Sequence, residues 1–269
     1  RTLCPGERVV HLTDENPQDP SEHPDFWGIW RRSLTRVLPH LPDYVFASDD
    51  YGARLARELG ATFVQVDPTR SVVPVSGTAI RADPMAHWDA IPACVRPYFV
   101  RRVCVFGPES TGKSTLAADL AERFGAALVP EYARTYLEAR GGAVQSTDME
   151  PIARGQAASE DALAQGAEKL LVCDTDVLTT VIWSHALFGE CAPWIEEEAG
   201  RRAYDLTFVT DVDVPWVADP VRYLPDERRS FLDRCVAALE ARGRPYIRLR
   251  GSRAERLAQA SNAVEALLG

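Results

Sequence analysis

The chain has 269 residues, 46% of them hydrophobic and 26% charged, enough for one large domain or two smaller ones with separate cores. Its net charge of -9 argues against a generic nucleic-acid binder, and no stretch reaches the ~18 apolar residues of a membrane span. The six cysteines form no CxxC pair and no Cys/His cluster, which predicts buried free thiols in a reducing cytoplasm.

In residues 1–100, "ERVVHL", "YVFASD" and "ATFVQVD" predict strands, and "WGIWRRSLTRVL" and "YGARLARELG" predict helices. This reads as an incomplete Rossmann-type sheet without its first strand and turn. The stretch "VSGTAIR" follows, with Ser76, Gly77, Thr78 and Arg81. Hydroxyls and N–H groups at a helix start, with an arginine one turn on, suit a triphosphate. A capped surface helix is the alternative reading. The proline-bearing stretch "AIPACVRPYFVRR" predicts a boundary near residue 100.

Beyond it, strands and helices alternate. "VCVF", "ALVPEYAR", "KLLVCDTD", "LTFVTD" and "PYIRLRG" are five predicted strands, the second ending near Glu131. "STLAADLAERFG" is an amphipathic helix stopped by Gly125. Five apolar strands separated by helices imply an α/β domain with a five-stranded parallel sheet, whose ligands gather at the strands' carboxyl ends.

The loop "GPESTGKST" over residues 107–115 lies at such an end and matches G-x-x-x-x-G-K-[ST]. Gly107 and Gly112 let the backbone curl, so that N–H groups of Glu109, Ser110, Thr111 and their neighbours point at phosphate oxygens. The following helix adds its positive end. Lys113 is placed for the β- and γ-phosphates, Ser114 for Mg2+, and Thr115 for a further hydroxyl contact. Lys113 and Lys169 are the only lysines among 30 cationic residues, so a lysine in this loop stands out.

Asp174 ends the strand "LLVCD", where a carboxylate holds Mg2+ or polarises an acceptor hydroxyl, or else caps a helix. Asp176 shares both readings. In "PEYART", the Glu131 carboxylate suits ribose hydroxyls and Arg134 a phosphate, with Tyr132 a further substrate-side residue, against a surface ion-pair patch. In "RYLPDERRSF", Arg222, Arg228 and Arg229 suit a lid that neutralises a transferring phosphoryl, against a solvated helix face. In "PWVAD", Trp216 is a stacking platform or a packing residue, with Asp219 close by.

Together "FWGIW", "ASDDYGARLARELG", "VDPTR", "VSGTAIR", "IPACVRPYFVRRV", "GPESTGKST", "PEYAR", "CDTD" and "PWVAD" are similar, in this order over nearly the whole chain, to the bacterial bifunctional nicotinamide-mononucleotide adenylyltransferase and ribosylnicotinamide kinase family (NadR-type). The resemblance implies a partial nucleotidyltransferase domain over 1–100 and a P-loop kinase domain over 101–269. The kinase would phosphorylate nicotinamide riboside with ATP and Mg2+. The other half would join nicotinamide mononucleotide to the adenylyl group of ATP, giving NAD. Ser76, Gly77, Thr78 and Arg81 match the family's ATP-phosphate motif, and Trp27 and Trp30 fall where a nicotinamide ring would stack or a core would pack. None of His11, His23, His40, His87 and His185 forms the family's H-x-G-H element, and the chain starts at Arg1. A chain lacking an N-terminal segment, with kinase activity and little or no adenylyl transfer, is expected; the alternatives are an NAD- or ATP-responsive regulatory nucleotide-binding protein and a P-loop kinase of another nucleoside. Neither a membrane nor a nucleic acid is an expected partner, and homo-oligomer formation stays open.

Overall fold

The structure is a computed structural model that describes residues 8–141, 143–218, 223–224 and 226–269. The chain divides into two compact units, Arg1–Asp83 and Pro84–Gly269.

In the first unit, helix α1 (Phe26–Val37) is followed by strand β1 (Tyr44–Ala47), helix α2 (Tyr51–Leu59), strand β2 (Thr62–Gln65) and a short helix α3 (Gly77–Ala82). The two strands pair in parallel, with Tyr44 opposite Thr62 and Ala47 opposite Gln65. Gly60, left-handed at φ 70°, stops α2 and turns the chain into β2. Gly52 lets α2 lie directly on the sheet: a Cβ there would come within 2.6 Å of Ala47 and the Phe63 ring. Phe26, Ala56 and Leu59 form the buried centre. The described part of "ERVVHL" is not a strand. Residues 8–12 are irregular, and Val9 and Val10 are exposed. The apolar run carries strand propensity, but among the described residues no neighbouring strand pairs with it.

In the second unit, strands β3 (Arg101–Phe106), β4 (Ala127–Val129), β5 (Leu170–Asp174), β6 (Leu206–Thr210) and β7 (Tyr246–Leu249) form one parallel sheet in the order β4-β5-β3-β6-β7. The five strands are those the sequence predicts. β4 ends at Val129, two residues short of Glu131, because helix α5 (Tyr132–Arg140) starts there. The remaining helices are α4 (Lys113–Phe124), α6 (Met149–Ala164), α7 (Val177–Phe188), α8 (Pro193–Arg201), α9 (Arg228–Glu240) and α10 (Arg253–Leu268).

One core cluster joins Val103, Val105, Leu170, Val172, Phe208 and Leu249 of the sheet to Leu116 and Leu120 of α4 and Ala260 and Val264 of α10. Val103, Cys104, Val105 and Phe106 are fully buried, as a central strand covered on both faces requires. At roughly 1.5–3 kcal/mol for each fully buried large apolar side chain, this strand is a firm mount for the loop that follows it.

Residues 84–100 pack with the second unit, not with the first as the expected boundary near 100 implied. Met85, Trp88, Ile91 and Val100 are buried. The Trp88 indole donates to Glu168, Arg96 pairs with the same carboxylate at 2.8 Å, and Lys169 Nζ donates to the Met85 carbonyl at 3.1 Å. The prolines that read as a linker bend a segment held by side chains more than seventy residues away.

Candidate active site

The loop after β3 is shaped by its glycines. Gly107 sits at φ 134°, and a Cβ on it would lie 2.9 Å from both the carbonyl oxygen and Oγ1 of Thr210. Only glycine fits against β6 there. Gly112, at φ 84°, turns the chain into α4. Thr111 is buried, donates to the Pro108 carbonyl at 2.7 Å and touches Thr210 Oγ1 at 2.6 Å. Lys113 Nζ donates to the same Pro108 carbonyl at 2.9 Å, so its ammonium folds back over the loop it serves.

Around this loop lies a cleft of about 1040 Å³, including the solvent at its mouth. Glu109, Ser110, Thr111, Gly112, Lys113, Ser114 and Thr115 form one wall, with Glu131 and Arg134 beside them. Asp174, at the end of β5 with 4% of its surface exposed, is the buried carboxylate next to the loop. Burial first, and then the charge of Glu131, push its carboxyl up to about 6; Lys113, a hydrogen bond with Ser114 and Arg134 pull the other way. Its Oδ1 is buried without a hydrogen-bond partner. An orphaned carboxylate oxygen beside the Ser114 hydroxyl is a donor set that suits Mg2+.

Asp176, two residues on, is differently employed. Thr175 between them is left-handed at φ 67°. One Asp176 oxygen caps α7 by accepting from the Thr179 N–H at 3.1 Å, and the other pairs with Arg244. The helix-cap alternative describes these bonds, yet Asp176 also lines the cleft, whereas Asp174 lies behind its wall. Glu131 is the N-cap residue of α5 and lies 3.9 Å from Arg134, which also pairs with Glu138 at 3.4 Å. Tyr132 does not line the cleft: it stacks on Tyr136 and its backbone N–H bonds to Gln156.

The arginines divide in the same way. Arg228 donates to the carbonyls of Ser110 and Val214 at 3.0 Å, tying α9 to the phosphate loop, with its guanidinium 5.8 Å from the Trp216 ring. Arg229 points away, 3.4 Å from an Asp211 carboxylate that Arg248 and Arg250 also hold. The segment between β6 and α9 leans on the loop as well: Val217 N–H donates to Ser110 Oγ and Tyr223 N–H to Glu109. Arg222 and Asp219 lie outside the described residues. Trp216 does not line the cleft; Trp183, which the sequence reading passed over, does. Trp183 stands on Phe231 with ring centroids 4.3 Å apart. Gln156, Thr179 and Thr180 were also missed. Their one sequence signal is position, on helices that follow or precede β5.

In the first unit, Ser76, Gly77, Thr78 and Arg81 come together on one short helix. Ser76 Oγ caps it by accepting from Ala79 N–H at 3.0 Å, and Arg81 reaches Thr78 Oγ1 at 3.4 Å. Trp27 packs at 5.0 Å against both Phe26 and Tyr51, and the Trp30 indole donates to the Pro17 carbonyl at 2.9 Å.

The AAA domain family matches residues 102–256, more than half of the chain. The chain belongs to the AAA domain family. It is also homologous to the trifunctional NAD biosynthesis/regulator protein NadR of Escherichia coli (strain K12), 32% identical over 250 residues, 89% of this chain and 60% of that protein. The NadR of Salmonella typhimurium (strain LT2) is 30% identical over 251 residues, 90% of this chain and 61% of that one. The chain therefore spans about 60% of the curated relatives it matches. Among solved structures, NadR protein in complex with NR superposes with a TM-score of 0.72 at 23% identity, over 95% of this chain and 76% of that one. NadR protein in complex with NAD and AMP-PNP gives 0.69 at 22% identity, over 94% and 75%. The fold is thus that of the NadR structures. Among the described residues no helix is long and apolar enough to cross a membrane.

Proposed function

We propose that the second unit transfers the γ-phosphoryl group of ATP to the ribose 5′-hydroxyl of nicotinamide riboside, giving nicotinamide mononucleotide for NAD salvage. The observation that carries this is the buried, unpartnered Asp174 oxygen beside Ser114 and Lys113 of the phosphate loop, whose residues also wall the cleft that Trp183 lines. The relatives' role in NAD biosynthesis and the NR carried by a NadR of the same fold support the choice of acceptor.

In this reading the loop N–H groups hold the phosphates, and Lys113 exchanges the Pro108 carbonyl for the β- and γ-phosphate oxygens. Ser114 and Asp174 hold Mg2+, which when bound neutralises charge on the phosphates. Asp174 also orients the 5′-hydroxyl. Its carboxylate accepts the hydroxyl proton as the bond from the 5′-oxygen to the γ-phosphorus forms and the bond from that phosphorus to the β,γ-bridging oxygen breaks, releasing ADP. Glu131 and Arg134 hold the ribose end, and Trp183 offers its face to the nicotinamide ring. Arg228, with Arg222 from the adjoining segment, neutralises the transferring phosphoryl. Tyr132, Asp176 and Arg229 act by holding the walls.

For the first unit, the proposal assigns Ser76, Gly77, Thr78 and Arg81 to ATP phosphates and Trp27 and Trp30 to the nicotinamide side, with adenylyl transfer weak or absent in these residues alone. The test is incubation of the purified chain with ATP, Mg2+ and nicotinamide riboside, read by mass spectrometry. Mononucleotide without NAD is the expected product. NAD in addition would overturn the reading of the first unit, and the absence of both products would overturn the kinase.

A further inference from the structure

The sequence shows no Cys/His cluster, because its three partners are spread over His185, Cys191 and Glu196. Folding gathers them. His185 is in the last turn of α7, Cys191 is in the connection to α8, and Glu196 is one turn into α8. Gly189, left-handed at φ 77°, ends α7 and sends the chain back toward it. Pro193 opens α8, and the fully buried Ile195 fixes the rotation of that helix. The ligating atoms of the three side chains all lie within 4.8 Å of one another, the one such group among the described residues.

We propose that His185, Cys191 and Glu196 form a site for a zinc-class divalent cation, with a fourth position open to solvent. Imidazole nitrogen, thiolate sulfur and carboxylate oxygen are all zinc ligands, and three of them with an open position make a tetrahedral site. The bond lengths of such a site separate its ligands by roughly 3.3–3.8 Å. The existing spread closes to that by rotating side chains that are partly exposed, His185 by about half. A thiolate and a carboxylate together balance the charge of the ion. His185 Nε2 is 2.8 Å from Glu196 Oε1, a contact the cation would replace. The other Glu196 oxygen is steadied at 2.9 Å by Arg242, which orients the carboxylate as an outer partner. The Cys191 thiol bonds weakly to the Ala192 carbonyl. Because the ligand is the thiolate, binding releases the thiol proton. The site is distinct from the phosphate loop: its ligands include soft sulfur, whereas Ser114 and Asp174 offer only oxygen. A cation here would pin the end of α7, the helix that carries Trp183 and Leu187 on the cleft wall.

The test is titration of the full chain with Co2+, in excess Mg2+, followed by absorption and then by competition with Zn2+. About one equivalent of tetrahedral cobalt, with a thiolate-to-cobalt charge-transfer band that Zn2+ erases, is expected. Cys191→Ser should abolish the charge-transfer band, and His185→Ala should weaken binding at least about tenfold, which is about 1.4 kcal/mol. No band in the parent chain, or a charge-transfer band that survives Cys191→Ser, would overturn the site. Circular dichroism of each variant separates lost binding from lost folding.

Discussion

Asp174 and Glu131 sit close enough that the charge on Glu131 is second only to burial in holding the Asp174 carboxyl up near 6. Two strand ends, β4 and β5, therefore bring a pair of acids to the phosphate loop, and one of them tunes the other.

This coupling predicts a pH profile. If ionised Asp174 is the working form, kcat/KM for the riboside should rise with pH and then level, with Mg2+ on that carboxylate drawing the limb below the metal-free value of about 6. Glu131→Gln removes a raising charge, so the rise should move to lower pH, even if the maximum falls. An unmoved limb in initial-rate measurements over pH 5–8 would break the link between the two acids.

Asp174 also opposes stability. Its folded value lies above the unfolded one of 3.8, so the folded state holds the proton more tightly and loses stability as pH rises from about 4 through 6. Asp174→Asn should then abolish turnover while stabilising the chain above pH 6 by roughly 1–3 kcal/mol. Urea unfolding at pH 5 and pH 8, with the gain confined to the higher pH, is the check.

The two loop glycines should differ. Gly107→Ala places a methyl against Thr210 at a left-handed φ and should cost about 2–4 kcal/mol, since both backbone strain and overlap oppose it. Gly112→Ala meets open space and carries the φ penalty alone, about 1–2 kcal/mol. Denaturant midpoints of the two variants rank them.

Lys113→Ala should lower kcat by about 100-fold or more while leaving the melting temperature nearly unchanged, because the lost contact is one donated bond to Pro108. Arg228→Ala should cost about tenfold or more in kcat, since it unties α9 from Ser110. Arg229→Ala should stay within about threefold, as Arg248 and Arg250 still hold Asp211. Steady-state kinetics that reversed this order would exclude Arg228 as the lid cation.

Trp183→Ala should raise KM for the riboside about tenfold with little change in KM for ATP, the loss of one stacking face. Trp216→Ala should leave the riboside KM within about threefold, its ring lying over Arg228 and off the cleft wall.

The phosphate loop, the five strands after it and the acids at their ends were legible in the sequence, because each is a local pattern. Glycine spacing sets a backbone curl, and an apolar run ending in a carboxylate sets a strand end. What the tertiary structure decided is which groups face the cleft. Asp174 and Asp176 are two residues apart and chemically alike, yet across the left-handed Thr175 one is left with an unpartnered oxygen beside the loop, and the other is tied to Arg244 on the cleft wall. Trp183 faces the cleft because Phe231, 48 positions away, backs its ring. The described part of "ERVVHL" is not a strand, since strand propensity yields a strand only where a neighbour accepts its hydrogen bonds, and among the described residues none does. The His185, Cys191 and Glu196 group arises from how α8 folds back on α7, a relation that spacing along the chain does not encode.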